Sequence, residues 1–148
     1  MALAKRKSSK PSATSSTSRP ENPLLFIDRD AWSGALGAAL DDAGIGYVAH
    51  RAQFDADSPD TEWIAAASAE AWIAITRDQN IRRKPNELFA LRHSHALVFV
   101  FTSGNLSAAM TATILLQAPP QVYRLAKTVK RPALFSIRKD ASIGRLRL

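Results

Sequence analysis

Residues 24–30 read Leu-Leu-Phe-Ile-Asp-Arg-Asp, four apolar side chains running into two carboxylates. A short apolar run of this kind predicts a buried strand. A carboxylate at the end of a buried strand must be paired, capped or bound to a cation, because leaving it desolvated and alone is costly. The stretch therefore predicts a sheet that starts near Leu24 and a polar site at the strand's carboxyl end.

Moving outward, Trp32, Leu36 and Leu40 recur at four-residue spacing with Ala35, Ala39 and Ala43 beside them. That spacing predicts one apolar helix face over 31–43, stopped by Gly44 and Gly46. Residues 47–50 predict a second strand. After a polar loop, Asp57 or Ser58 is expected to cap a helix whose first position is Pro59 and which runs to about residue 71. Residues 72–76 predict a third strand, Pro85 a short helix, and 96–101 a fourth and most apolar strand. Helices are expected over 106–118 and, after the break at Pro119 and Pro120, over 121–130. The remainder predicts one last strand or a hairpin. Strands alternating with helices of about a dozen residues imply parallel βαβ units. The expected fold is α/β, a three-layer sandwich around a mainly parallel sheet of four or five strands.

Residues 1–22 are rich in Ser, Thr and Lys and poor in large apolar groups. Such a segment buries too little surface to offset its ordering entropy. It reads as a disordered basic arm preceding one α/β domain over 23–148. No apolar run approaches the ~18 residues of a membrane span, and no secretory signal is present, so a cytoplasmic protein without membrane contact is expected. The chain has no cysteine, which excludes disulfides and thiolate metal sites.

The net charge of +7 is unevenly laid out. Residues 21–78 hold eleven acids against three Arg, whereas residues 79–148 hold two acids against twelve Lys and Arg. An acidic half and a basic half suggest a cation-binding site beside an anion-binding surface.

In open parallel sheets ligands bind beyond the carboxyl ends of the strands. Asp28 follows the first strand and Asp78 the third, while Asp60 and Glu62 fall in the first turn of the helix after the second. These three segments should meet at one sheet edge. Asp30 reads as the N-cap of the helix from Ala31, and Asp55 and Asp57 as loop or cap residues. His50, His93 and His95 read as structural or surface groups. Crowded carboxylates repel, so their pKa values rise or a cation joins them. An all-oxygen site favours Mg2+ or Mn2+ over zinc.

Two families resemble the opening stretch. Hydrophobic residues before Asp-x-Asp resemble the haloacid-dehalogenase phosphatases, which implies Asp28 as nucleophile and Asp30 as acid. Ala31-Trp32 departs from that family's continuation, and the late acidic metal motif is missing. The second resemblance runs from about residue 24 to 106. FIDRD, then SPDTEWIAAASAEAW, then IAITRDQNIRRKPNEL, then ALVFVF is similar to PIN-like domains, in particular to the subgroup related to VapC-type toxin ribonucleases. It implies a Mg2+- or Mn2+-dependent endoribonuclease with Asp28, Asp60 and Asp78 as catalytic metal ligands and Glu62 as a further one. Asn80 and Asn105 stand near places where many members carry another acid, and could orient water or substrate. It also implies RNA as substrate and a cognate antitoxin as partner, and it is compatible with a homodimer. The alternatives are a catalytically silent nucleic-acid- or protein-binding module and a small phosphatase of the dehalogenase type.

The basic residues expected to hold the RNA backbone are Arg77, Arg82, Arg83 and Lys84 around Asp78, and Arg124, Lys127 and Lys130 at helical spacing. Tyr123, next to the last group, is expected to stack on a base.

Overall fold

The structure, a computed structural model, describes residues 22–148. The basic arm expected over 1–22 lies outside the described residues except for its last position. The elements run β1 (Leu25–Ile27), α1 (Gly34–Asp42), β2 (Tyr47–Ala49), α2 (His50–Gln53), α3 (Asp60–Glu70), β3 (Ile73–Thr76), a 3-10 turn (Ile81–Arg83), α4 (Pro85–Arg92), β4 (Leu97–Phe101), α5 (Ala108–Gln117), α6 (Pro119–Thr128), β5 (Ala133–Ile137) and β6 (Ile143–Leu146).

The sheet has six strands in the order β2-β1-β3-β4-β5-β6. All neighbouring pairs are parallel except β5 with β6. The expected four or five strands become six because the last segment folds as a hairpin. Asp140 makes its turn, with Oδ1 accepting from the Ser142 N–H at 3.0 Å.

Both faces of the sheet are covered, so its strands are apolar throughout rather than alternating. Leu25 and Ile27 of β1 point into one core, shared with Leu36 and Leu40 of α1, Ile114 and Leu115 of α5 and Val122 of α6. Phe26 points the other way, into a core with Trp63 and Ile64 of α3 and Leu91 of α4. Phe26 stacks between Trp63 and Trp72, with ring centroids 5.4 and 5.5 Å away. These aromatic contacts fix the start of α3 against the end of β1.

Several element boundaries differ from expectation, among them the end of the second strand, where His50 opens α2. The first helix starts at Gly34, capped by the Ser33 hydroxyl, which accepts from the Leu36 N–H at 3.0 Å. The chain first turns over Asp28, whose carbonyl accepts from the Ala31 and Trp32 N–H groups. Trp32 thus lies outside the helix, where it packs on Tyr47. The third helix starts at Asp60, with extended Pro59 in the cap position and no side-chain cap. The last helix begins at Pro119 itself, since the missing N–H of proline costs nothing at a helix start. Gly44, at φ 71°, makes the left-handed turn that ends α1.

Candidate functional site

The strand order places β1 and β3 side by side, with β2 beyond one and β4 beyond the other. The chain winds outward in both directions from this pair, which makes the cleft past β1 and β3 the topological switch point of the sheet, where ligands bind in such folds. Asp28 and Asp30 leave β1 at that point, and Thr76, Arg77 and Asp78 leave β3 there.

Asp28 is 2 % exposed. One of its oxygens accepts from the Arg29 N–H at 2.8 Å and the other from the Thr76 hydroxyl at 2.8 Å. Burial, followed by the charge of Asp30, pushes its pKa up to about 7. Asp30 accepts from the Arg77 N–H at 2.9 Å and lies 3.3 Å from the Thr76 hydroxyl. Its pKa is also raised, chiefly by burial, with the charges of Asp78 and Asp60 adding to the rise. The expectation that Asp30 caps a helix is therefore corrected. Ser33 takes that role, and Asp30, an exposed residue, reaches across to the β3 end. Asp78 accepts from the Asn80 N–H at 3.0 Å and from the Lys84 ammonium at 2.6 Å.

Asp60 arrives from α3. Its Oδ1 accepts from the Trp63 indole N–H at 3.1 Å, a contact that three-residue helical spacing makes possible. The same oxygen accepts from Arg29 Nη2 at 2.9 Å, and Lys84 Nζ lies 3.8 Å from Oδ2. Arg29 also donates through Nη1 to the Ser58 carbonyl at 3.0 Å and to His50 Nε2 at 2.9 Å. Because arginine only donates, Nε2 is the accepting nitrogen of a neutral ring. His50, set apart from the acids by sequence reading, is thus one contact away from them through Arg29.

The fold brings Asp28, Asp60 and Asp78 into one electrostatic neighbourhood and adds Asp30. Glu62 lies on the same turn as Asp60, and its Oε1 is enclosed with no hydrogen-bond partner among the described residues. Asn80 is exposed and caps the 3-10 turn. Asn105 is exposed at φ 56°, a left-handed turn position that asparagine tolerates. Neither side chain is hydrogen-bonded to the carboxylates among the described residues.

Sequence reasoning missed Thr76 and Arg29, and Lys84, which was expected to hold RNA, is paired with Asp78 and lies near Asp60. The Thr-x-Asp spacing was the available signal for Thr76, whose hydroxyl also accepts from the Asp78 N–H at 3.1 Å. The basic groups do not form one surface. Arg124, Lys127 and Lys130 are exposed on or just after α6, whose Val122 belongs to the first core. They lie across the sheet from α3 and α4. Tyr123 is half-buried against that same core rather than open for stacking.

The oxygen-only donor set suits a hard divalent ion. The side-chain positions do not yet form a cage for one. Among the described residues no three His, Asp or Glu side chains are grouped closely enough to hold a metal, and Arg29 and Lys84 already occupy oxygens of Asp60 and Asp78.

A family model described as a PIN-like domain matches residues 23–103. The chain belongs to the PIN-like domain family. Neither the curated proteins nor the solved structures give a match. The matched part of this PIN-like domain runs from β1 through β4 and contains Asp28, Asp30, Asp60, Asp78 and Lys84. The helices α5 and α6 and the β5–β6 hairpin lie beyond it. No helix among the described residues is long and apolar enough to cross a membrane.

Proposed function

We propose that this PIN-like domain is a Mg2+- or Mn2+-dependent endoribonuclease acting at the switch point between β1 and β3. The observation that carries the reading is the convergence there of Asp28, Asp30, Asp60 and Asp78 from three chain segments, with burial and mutual repulsion raising the first two pKa values. A carboxylate pair held above its ordinary pKa is a site that gains from a cation. When bound, a hard divalent ion would supply charge for phosphate oxygens and an activated water.

The chain's own residues have assignable parts. Thr76 and the Arg29 N–H aim the Asp28 oxygens, and the Arg77 N–H aims Asp30. Trp63 and Arg29 hold Asp60 from the far side. Lys84 neutralises Asp78, and an ion held by Asp78 would supply that charge instead and leave the ammonium free to meet a phosphate. A toxin role, with an antitoxin protein covering this edge, belongs to the same proposal.

A second reading, a catalytically silent binding module, is favoured by one observation: Arg29 and Lys84 already neutralise Asp60 and Asp78. One experiment separates the two. The full chain is incubated with structured and unstructured RNAs in Mn2+ or chelator, beside Asp28→Asn and Asp78→Asn. Cutting that needs metal and is lost in both variants supports the nuclease. RNA binding without metal-dependent cutting supports the silent module, and equal cutting by the variants rejects the assigned residues.

A further inference from the structure

The 3-10 turn that delivers Lys84 to the acids sends its other two basic residues elsewhere. Arg82 and Arg83 line a cavity of about 330 Å³ together with Arg92 of α4, Arg147 beyond β6, and the apolar side chains Leu88 and Leu148. Four arginines thus line one hollow, and no acidic side chain is among its lining residues. Glu87, the one acid in residues 79–92, lies instead in the field of Lys84. Among the described residues none of the four arginines is ion-paired. Arg82 donates only to the Arg147 carbonyl, at 3.2 Å. Like charges gathered without an acidic side chain among them repel, and a bound anion removes that cost.

Two features set the class of anion. The cavity adjoins a second one of about 410 Å³ that shares Arg147 and Leu148 and also has no acid in its lining. The two hollows share a wall, and neighbouring hollows lined by arginine suit a chain of phosphates better than a single ion. Beside Arg92 on α4 stands Phe89, 64 % exposed and stacked on His93 with ring centroids 4.0 Å apart. An open aromatic ring next to an arginine groove is a platform for an unpaired base.

We infer that the Arg82–Arg83–Arg92–Arg147 groove with Phe89 anchors the backbone of single-stranded nucleic acid, one segment away from the acids. This rests on the nuclease reading for its substrate, but it is tested without metal. The arginines take phosphates as bidentate donors, and Phe89 takes a base that a duplex would keep stacked. The groove draws on Arg147, which lies outside the family-matched part.

The test is fluorescence anisotropy of the full chain in chelator, using a labelled single-stranded RNA of ~16 nucleotides and the matching duplex. Arg92→Ala with Arg147→Ala is expected to weaken single-strand binding about tenfold or more and to flatten the log K against log salt slope by about 1.4, the share of two phosphate contacts. Arg92→Lys with Arg147→Lys should keep most of the slope. Phe89→Ala should weaken single-strand binding about fivefold or more and leave duplex binding unchanged. Unchanged affinity in the double Ala variant with a native circular dichroism spectrum overturns the inference. So does a larger loss in an Arg124, Lys127 and Lys130 triple Ala variant. Equal displacement of RNA by poly-glutamate would assign the groove to an acidic protein and overturn it too. Metal-dependent cutting with an unaffected groove variant sinks this inference alone, whereas groove-dependent binding without cutting sinks only the nuclease reading.

Discussion

Replacing Asp28 with Asn should make the protein more stable at pH 8 while abolishing its proposed activity. Asp28 is enclosed, and its pKa rises from the ordinary 3.8 to about 7, mainly through desolvation. In the unfolded chain the group ionises near 3.8. Between that value and about 7 the folded protein holds a proton that the unfolded chain has released, so stability falls as pH rises through this window. Below it the group is protonated in both states and costs nothing. The rise of about 3 units, at ~1.4 kcal/mol each, amounts to a penalty of about 4 kcal/mol at pH 8. Asparagine has the shape of the protonated acid and cannot ionise. The variant should gain about 2–4 kcal/mol over wild type at pH 8, on the order of 10 °C in Tm for a domain of this size. The gain should vanish near pH 4. Thermal and urea unfolding in chelator at both pH values measures this. Added Mn2+ should narrow the gap at pH 8, because the ion stabilises only the wild-type carboxylate. A variant equally or less stable than wild type at both pH values would show that the carboxyl is not held against desolvation, and the electrostatic argument for the site would fail.

Three further outcomes are expected. Thr76→Val removes the fully buried hydroxyl that donates to Asp28 and accepts from the Asp78 N–H; urea unfolding at pH 8 should show a loss of about 2–3 kcal/mol, and no loss would mean the hydroxyl is dispensable. Lys84→Met should cost only about 0.5–1 kcal/mol in chelator, because the Lys84 side chain is 42 % exposed and screened; the loss should shrink with Mn2+ as the ion replaces the ammonium, and calorimetric titration should show tighter Mn2+ binding than in wild type. Trp63→Phe should lower stability by about 2 kcal/mol through a lost indole donor and an underfilled second core; retained stability would mean that Asp60 is held by Arg29 alone.

The alternation of strand and helix was readable because both sheet faces are buried, so each strand is a plain apolar run bounded by turn residues. The gathering of Asp28, Asp60 and Asp78 at one edge followed from that alternation alone. What the sequence hid was which groups complete the site. Asp30 read as the cap of the first helix, and only the turn over the Asp28 carbonyl decides that the helix waits for Ser33. Arg29 read as generic positive charge and Lys84 as a contact for RNA, because their carboxylate partners are 31 and 6 residues away in sequence and depend on how β1, α3 and β3 meet. The division of the basic residues was equally hidden. The side of the sheet on which α4 and α6 pack is set by the crossover path, and sequence spacing carries no record of it.

The strand Leu97–Phe101 is buried at all five positions and pairs on its outer side with Ala133–Ile137, which falls outside the family-matched segment. A chain cut after residue 103 would keep Asp28, Asp30, Asp60 and Asp78 yet expose an uncharged apolar edge with open N–H and C=O groups. Such an edge recruits other chains. The excised family-sized piece should therefore self-associate rather than stay monomeric, and the closing hairpin acts as a solubility guard for the domain.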